Sequence, residues 1–185
     1  MFPEYMEIAG KKYKINTDYR YALACFEAIN DGSISDIERA YALVEILLGC
    51  SVPDMQEALK KIAYYLSCGK EEKSVEEIKK DMDFKQDEKY IYASFMSDYG
   101  IDLDTTEMHW WKYCALISGF TEESVLSRVR ALRNLDMSEY KDPKQRAKIK
   151  KAKEQVKLKE EHEEISEEEI EFLKTLGIEL KGSEL

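Results

Sequence analysis

Histidine is the side chain used most often for acid–base catalysis, and this chain of 185 residues contains only two, His109 and His162. His162 lies among glutamates on a predicted polar helix, where a solvated imidazole lacks the oriented partner that general-base catalysis needs. His109 directly precedes two tryptophans. We interpret His109 as a structural histidine at the edge of a core, with partner binding as the alternative role.

Three carboxylates, those of Asp98, Asp102 and Asp104, cluster near a predicted loop. Paired carboxylates can bind a cation or transfer protons, but turn and helix-cap roles already account for residues of this type at these positions. The sequence also lacks the glycine-rich phosphate-binding patterns and the zinc-hydrolase pattern. We therefore predict that the protein is not an enzyme, and an unrecognised carboxylate site around 98–104 is the alternative.

The four cysteines, Cys25, Cys50, Cys68 and Cys114, are widely spaced and form no closely spaced pair. Zinc sites need such pairs together with a nearby histidine. Free thiols in a reducing compartment are the expected state. We predict no metal and no cofactor.

The charge is acidic overall, with 38 Asp and Glu against 28 Lys and Arg. A net charge of −10 disfavours nonspecific binding to nucleic acid or to an anionic membrane. The distribution changes near residue 140, because 141–153 hold seven Lys and Arg and one acidic residue, whereas 160–171 hold eight glutamates. A small nucleic-acid-binding regulator that uses the basic helix 144–153 is therefore the alternative function.

Apolar residues recur at helical spacing and predict a mainly α-helical domain over 1–140, a bundle of about six helices. A small N-terminal β-hairpin turning at Gly10-Lys11 precedes the bundle. The second helix, which includes Ile37 and Tyr41 in its apolar stripe, should be buried on most sides. A capping box formed by Asp104 and Glu107 is predicted to start the fifth helix.

Residues 141–185 are predicted to form a charged helical extension. Asp142 followed by Pro143 is typical of a helix start, and this helix should run to about Glu164. A short amphipathic terminal helix follows, and its apolar residues are Ile170, Phe172, Leu173 and Leu176. No signal-peptide pattern and no stretch of about 20 apolar residues occurs, so we expect a soluble cytoplasmic protein without a membrane role.

The fifth helix contains both tryptophans, at neighbouring positions. Because successive residues on a helix point about 100° apart, we expect one indole to pack inward and the other to reach a contact surface. The predicted partner-binding residues lie on this helix and on the terminal helix: His109, Trp110, Tyr113, Ile170, Phe172 and Leu173.

The most specific residues around these tryptophans are Tyr99-Gly100-Ile101-Asp102-Leu103 and His109-Trp110-Trp111-Lys112-Tyr113. In these segments the sequence resembles the bacteriophage gene-product-fifteen family, which occurs in tailed phages and prophages of Gram-positive bacteria. Weaker segments include Asn16-Thr17-Asp18-Tyr19-Arg20 and Arg130-Ala131-Leu132-Arg133. The resemblance covers about residues 2–155.

The resemblance implies a noncatalytic tail assembly chaperone, usually encoded between the major tail protein and the tape-measure protein. Its expected partners are the tape-measure protein, the tail-tube protein or both, and self-association is a further option. It would act in the cytoplasm of the bacterial host and be absent from the mature virion. No catalytic residues are attached to the family, so none are expected here.

Overall fold

The computed structural model describes residues 1–70 and 80–159. This part of the chain is mainly α-helical, with one small antiparallel hairpin, as the sequence predicts. The strands are β1 (Tyr5–Ile8) and β2 (Lys11–Lys14). The α-helices are α1 (Tyr19–Ile29), α2 (Asp36–Leu48), α3 (Met55–Leu66), α4 (Glu88–Tyr99), α5 (Trp110–Ser118), α6 (Val125–Asn134) and α7 (Pro143–Val156).

The described residues form two compact units. The first contains 1–70 and 108–113, and the second contains 80–107 and 114–159. The predicted domain boundary at residue 140 stays a prediction, because most of the predicted extension lies outside the described residues. Among the described residues, no helix combines the length and the apolarity that crossing a bilayer requires.

The hairpin of the first unit alternates as predicted, with Met6 and Ile8 buried on one side. Its turn lies at Ala9-Gly10, one residue earlier than expected, because Ile8 pairs directly with Lys11 and both turn residues have positive φ. The Ala9 N–H donates to the Glu57 carboxylate on α3 at 2.8 Å. That bond attaches an otherwise marginal hairpin to the helices.

Helix α2 begins and ends where local chemistry predicts. Ser35 and Glu38 form a reciprocal capping box, and Gly49 ends the helix in the left-handed conformation. The expectation that α2 is buried on most sides is wrong, since Ile37 and Tyr41 are 71% and 63% exposed. The helix packs on α1 and α3 through Ala40, Leu43, Val44 and Leu47, and these contacts leave its outer face open.

The second unit packs α4 against α6 and α6 against α7. Its apolar core is Ile91, Phe95, Leu103, Ile117, Leu126 and Val129. Ser94 is fully buried within it, and its hydroxyl accepts from the Leu126 N–H at 2.9 Å while donating to the Tyr90 carbonyl. Buried polar groups of this kind need partners, and Ser94 has them.

One predicted helix limit in the second unit is wrong, namely the end of α7. Helix α6 is capped by Ser124, whose hydroxyl accepts from the Ser127 N–H, and Thr121 before it donates to Asp98. Helix α7 begins with the predicted Asp142 cap but ends at Val156, well before Glu164. The chain leaves the helix there because Lys157 is extended.

A buried ion pair lies at the centre of the second unit. Arg133 donates to both carboxylate oxygens of Asp87, each at 2.7 Å, and Asp87 is fully buried. The same guanidinium donates to the carbonyls of Asp81 and Val156, so one side chain connects α6 with the C-terminal end of α7. The hydrogen bonds from Arg133 to Asp87 raise the pKa of the arginine.

Replacement of Arg133 by leucine should therefore destabilise the second unit by about 3–5 kcal/mol, because it leaves the Asp87 carboxylate buried and unpaired. Urea unfolding followed by far-UV circular dichroism measures the loss. Arg128→Leu, on an exposed position of the same helix, should change stability little. The double variant Asp87→Leu/Arg133→Leu should recover part of the loss. Equal stability of Arg133→Leu and Arg128→Leu would contradict the role of the pair.

Candidate functional site

In the first unit, the starts of two helices far apart in sequence are bonded to each other. The Tyr19 N–H, the first of α1, donates to the Met108 carbonyl at 2.8 Å. The Trp110 N–H, the first of α5, donates to the Thr17 carbonyl at 2.8 Å. The first N–H groups of a helix have no partner within it, so each chain segment supplies the acceptor that the other helix lacks.

Asp18 and His109 face each other at the centre of this crossing and cap their own helices. The Asp18 carboxylate accepts from the Arg20 N–H at 3.1 Å and also from the Met108 N–H at 2.9 Å. Nδ1 of His109 accepts from the Trp111 N–H at 3.0 Å. The predicted capping box of Asp104 and Glu107 is therefore wrong, because Met108 is held extended and α5 begins only at Trp110.

The tautomer of His109 follows from its neighbours. A backbone N–H can only donate, so Nδ1 is the unprotonated ring nitrogen. Nε2 then carries the hydrogen and donates to the Pro3 carbonyl at 2.9 Å. His109 thus holds the N-terminal segment against the start of α5. The prediction of a structural histidine is consistent with these contacts.

The two tryptophans both donate to the last turn of α3 but differ in burial. The Trp110 indole donates to the Leu66 carbonyl at 3.1 Å, and the Trp111 indole donates to the Tyr65 carbonyl at 2.8 Å. These carbonyls lie at a helix C-terminus, where acceptors lack helical partners. Trp110 is 1% exposed, whereas Trp111 is half-buried.

Trp110 and Tyr113 form an internal stack. Their rings are 5.7 Å apart, and Tyr113 lies parallel to Tyr19 at 4.4 Å. Phe26 packs against Trp110, with 5.7 Å between the centroids of the two rings. Of the predicted partner-binding residues on α5, Trp110 and Tyr113 are thus in the core of the first unit, and a direct contact with a partner would need other residues.

Those other residues are on the outside of the same cluster. Phe2 stacks on His109 at 5.0 Å between ring centroids, and both Phe2 and Tyr64 lie 6.4 Å from Trp111. Phe2 is 43% and Tyr64 is 49% exposed. We refer to Phe2, Tyr64, His109 and Trp111 as the aromatic surface. It is a contiguous group of rings, of which Phe2 and Tyr64 are exposed and His109 and Trp111 are half-buried.

Gly69 lets Trp111 lie close to the backbone that follows α3. Its φ is +77°, and a Cβ there would come within 2.8 Å of Cη2 of Trp111. Any other residue at this position would be strained and would displace the indole.

The family model described as Bacteriophage Gp15 protein matches residues 1–158. The chain belongs to this family. The resemblance expected for about 2–155 is thereby confirmed. No curated protein and no solved structure matches the chain significantly.

In this Gp15 family member, the matched region contains the helix crossing and the whole aromatic surface. Sequence reasoning identified His109 and expected one indole at a contact surface, but it chose Trp110, whereas the indole at the edge of the cluster is that of Trp111. It missed Phe2 and Tyr64. The sequence does contain a signal for Tyr64. It is an aromatic residue on the polar side of α3, beside Lys60 and Lys61 and away from the buried residues of that helix. The predicted contacts Ile170, Phe172 and Leu173 lie outside the described residues.

Two of the three carboxylates considered for catalysis, those of Asp98 and Asp102, have structural partners. Asp98 accepts from the N–H and hydroxyl of Thr121, and the backbone bond is the main cause of its lowered pKa. Asp102 accepts from the Tyr92 hydroxyl at 3.1 Å and from the Asp104 N–H at 2.9 Å. The bond to Asp102 raises the pKa of Tyr92. These contacts fix loops, as cap and turn residues do.

Residues 1–70 and 80–159 contain no evident metal site, and one of their thiols, that of Cys25, is unreactive. No cluster of three or more His, Cys, Asp or Glu side chains in these ranges is arranged to hold a metal ion. Cys25 is fully buried, and burial raises the pKa of its thiol to about 12. Such a thiol is not a nucleophile at neutral pH.

The basic helix α7 has its lysines toward solvent. Lys144, Lys148 and Lys151 are exposed and lie on one side of the helix, while Lys153 donates to the Leu135 carbonyl at 2.7 Å. Nucleic-acid binding by this helix stays a prediction.

Because of the helix crossing, we expect the loss of two different aspartate caps to lower the stability of the first unit by different amounts. Asp18→Ala should destabilise the first unit by about 2–3 kcal/mol, since it removes a cap and leaves the buried Met108 N–H without its acceptor. Asp54→Ala, which removes only a local cap of α3, should cost about 1 kcal/mol. Both tryptophans lie in the first unit, so urea unfolding followed by tryptophan fluorescence reports on it. Equal losses would show that the bond across the crossing contributes nothing.

Proposed function

We propose that this protein is a noncatalytic phage tail assembly chaperone that binds the tape-measure protein, the tail-tube protein or both during tail morphogenesis. The observation that supports the proposal is the aromatic surface, found in a member of the Gp15 phage protein family. Family membership gives the phage setting, and the exposed rings give a means of binding.

The chemistry of the partner fits such a surface. A tape-measure protein is a long, largely helical chain, and its apolar faces would aggregate if they were left bare before the tube is built around it. A chaperone for it needs exposed apolar groups on a soluble body. Tryptophan and tyrosine carry much of the energy at protein interfaces because they bury a large area with few rotatable bonds.

The aromatic surface is also held in place before binding. Trp111 is fixed by its indole bond to Tyr65, and Phe2 rests on His109, whose ring is bonded on both sides. Preorganised side chains lose less conformational entropy on binding than mobile ones. A few rings nevertheless form a small contact, and small contacts suit partners that must separate. Release in the host cytoplasm would leave the chaperone out of the mature virion.

The proposal is tested by co-expression with the tape-measure and tail-tube proteins of the same phage, followed by affinity purification of the complex. We expect at least one of the two to co-purify. Phe2→Ala/Tyr64→Ser should lower the recovered partner about tenfold, because it removes exposed rings that contribute binding energy.

The matched control is Tyr5→Ser, which removes another exposed tyrosine of the first unit outside the aromatic surface. It should leave recovery unchanged, and all variants should keep the helical circular dichroism of the wild type. Failure of both partners to co-purify with the wild type would overturn the proposed function.

A further inference from the structure

The outer face of α2 is a second exposed apolar surface in the first unit. Ile37 and Tyr41 are 71% and 63% exposed and lie four residues apart. On a helix that spacing makes them neighbours, with Cβ atoms about 5–6 Å apart. A single exposed apolar residue is ordinary, but an adjacent pair of large ones on one helix face indicates a contact site.

Carboxylates lie along one side of this pair on α2. Residues 21–49 contain five acidic residues and one basic residue, a net charge of −4. The basic residue, Arg39, is buried and bonded to Asp36 at 2.6 Å, so its charge offsets that of Asp36 and not those of Glu38 and Glu45. Glu38 and Glu45 are exposed on α2 next to Ile37 and Tyr41. The α2 face is therefore apolar at its centre and acidic at its edge.

We propose that the α2 face binds a helical segment of a partner protein that carries a row of apolar residues flanked by Lys and Arg. The apolar row would cover Ile37 and Tyr41, and the basic side chains would meet Glu38 and Glu45. A helix laid on an apolar strip is a common mode of recognition, and complementary charge selects among candidate helices. The partner is defined by the chemistry of this helix, and the α2 face shares no residue with the aromatic surface.

The charge also disfavours two other occupants. A symmetric contact with a second copy would bring the same acidic face against itself, and like charges in contact are repulsive. The apolar residues Ile170, Phe172 and Leu173 of the chain's own terminal segment follow or lie within a stretch of eight glutamates over 160–171. Binding that segment would place carboxylates beside carboxylates.

Two labelled peptides test the proposal. Each is an amphipathic helix of about five turns with one leucine row, and the flanking residues are all lysine in one and all glutamate in the other. Fluorescence anisotropy against the full chain should show binding of the lysine peptide and not of the glutamate peptide. Ile37→Ser/Tyr41→Ser should weaken binding of the lysine peptide about tenfold, and Glu45→Lys about threefold.

Tyr5→Ser is the control and should bind as the wild type does. Both altered α2 positions are exposed, so the double variant should keep the wild-type circular dichroism. Equal affinity of the double variant and the wild type would overturn the proposal, as would binding of the glutamate peptide. Sedimentation that shows self-association of the wild type but not of the double variant would also overturn it, since a second copy would then occupy the face. Failure of both phage proteins to co-purify with the wild type would instead overturn the proposed function and would leave the binding of a basic helix by the α2 face unaffected.

Discussion

The first unit depends on the crossing of two helix starts, where residues 17–19 and 108–110 bond to each other across some ninety positions of the chain. Each segment satisfies a helix N–H that would otherwise be left for water, and Asp18 adds a bond to the Met108 N–H. Closing so long a loop costs entropy, but the cost grows slowly with loop length. Several short bonds and the buried stack of Tyr19, Tyr113 and Trp110 offset it.

The crossing also produces the aromatic surface. Because α5 starts at Trp110, the two tryptophans leave the same crossing about 100° apart, and both reach the last turn of α3 with their indole N–H groups. Trp110 enters the core, and Trp111 remains at the edge, where Phe2 and Tyr64 join it. Folding and the proposed partner binding therefore rest on one short segment. Substitutions within 108–113 should not be interpreted as binding effects unless stability is measured too.

What the sequence predicted correctly depends on local chemistry. Asp142 and Pro143 mark the start of α7 through a cap bond and a fixed backbone angle within a few residues, and the structure agrees. The errors concern distant partners. His109 caps α5 because the start of α1 pairs with it and so sets where α5 begins. Ile37 and Tyr41 are exposed because α1 and α3 cover the other sides of α2. Periodicity identifies an apolar face but not which neighbour covers it, and Phe2 gave no periodic signal at all.

The central claim is that the crossing holds the first unit together, and amide hydrogen exchange tests it most directly. The first N–H of a helix normally bonds to water and exchanges quickly. We expect the Tyr19 and Trp110 amides to exchange as slowly as that of Val44 in the middle of α2, through unfolding of the first unit. The Asp36 amide, the first of α2, should exchange fast. Exchange of Tyr19 and Trp110 as fast as Asp36 would contradict the claim.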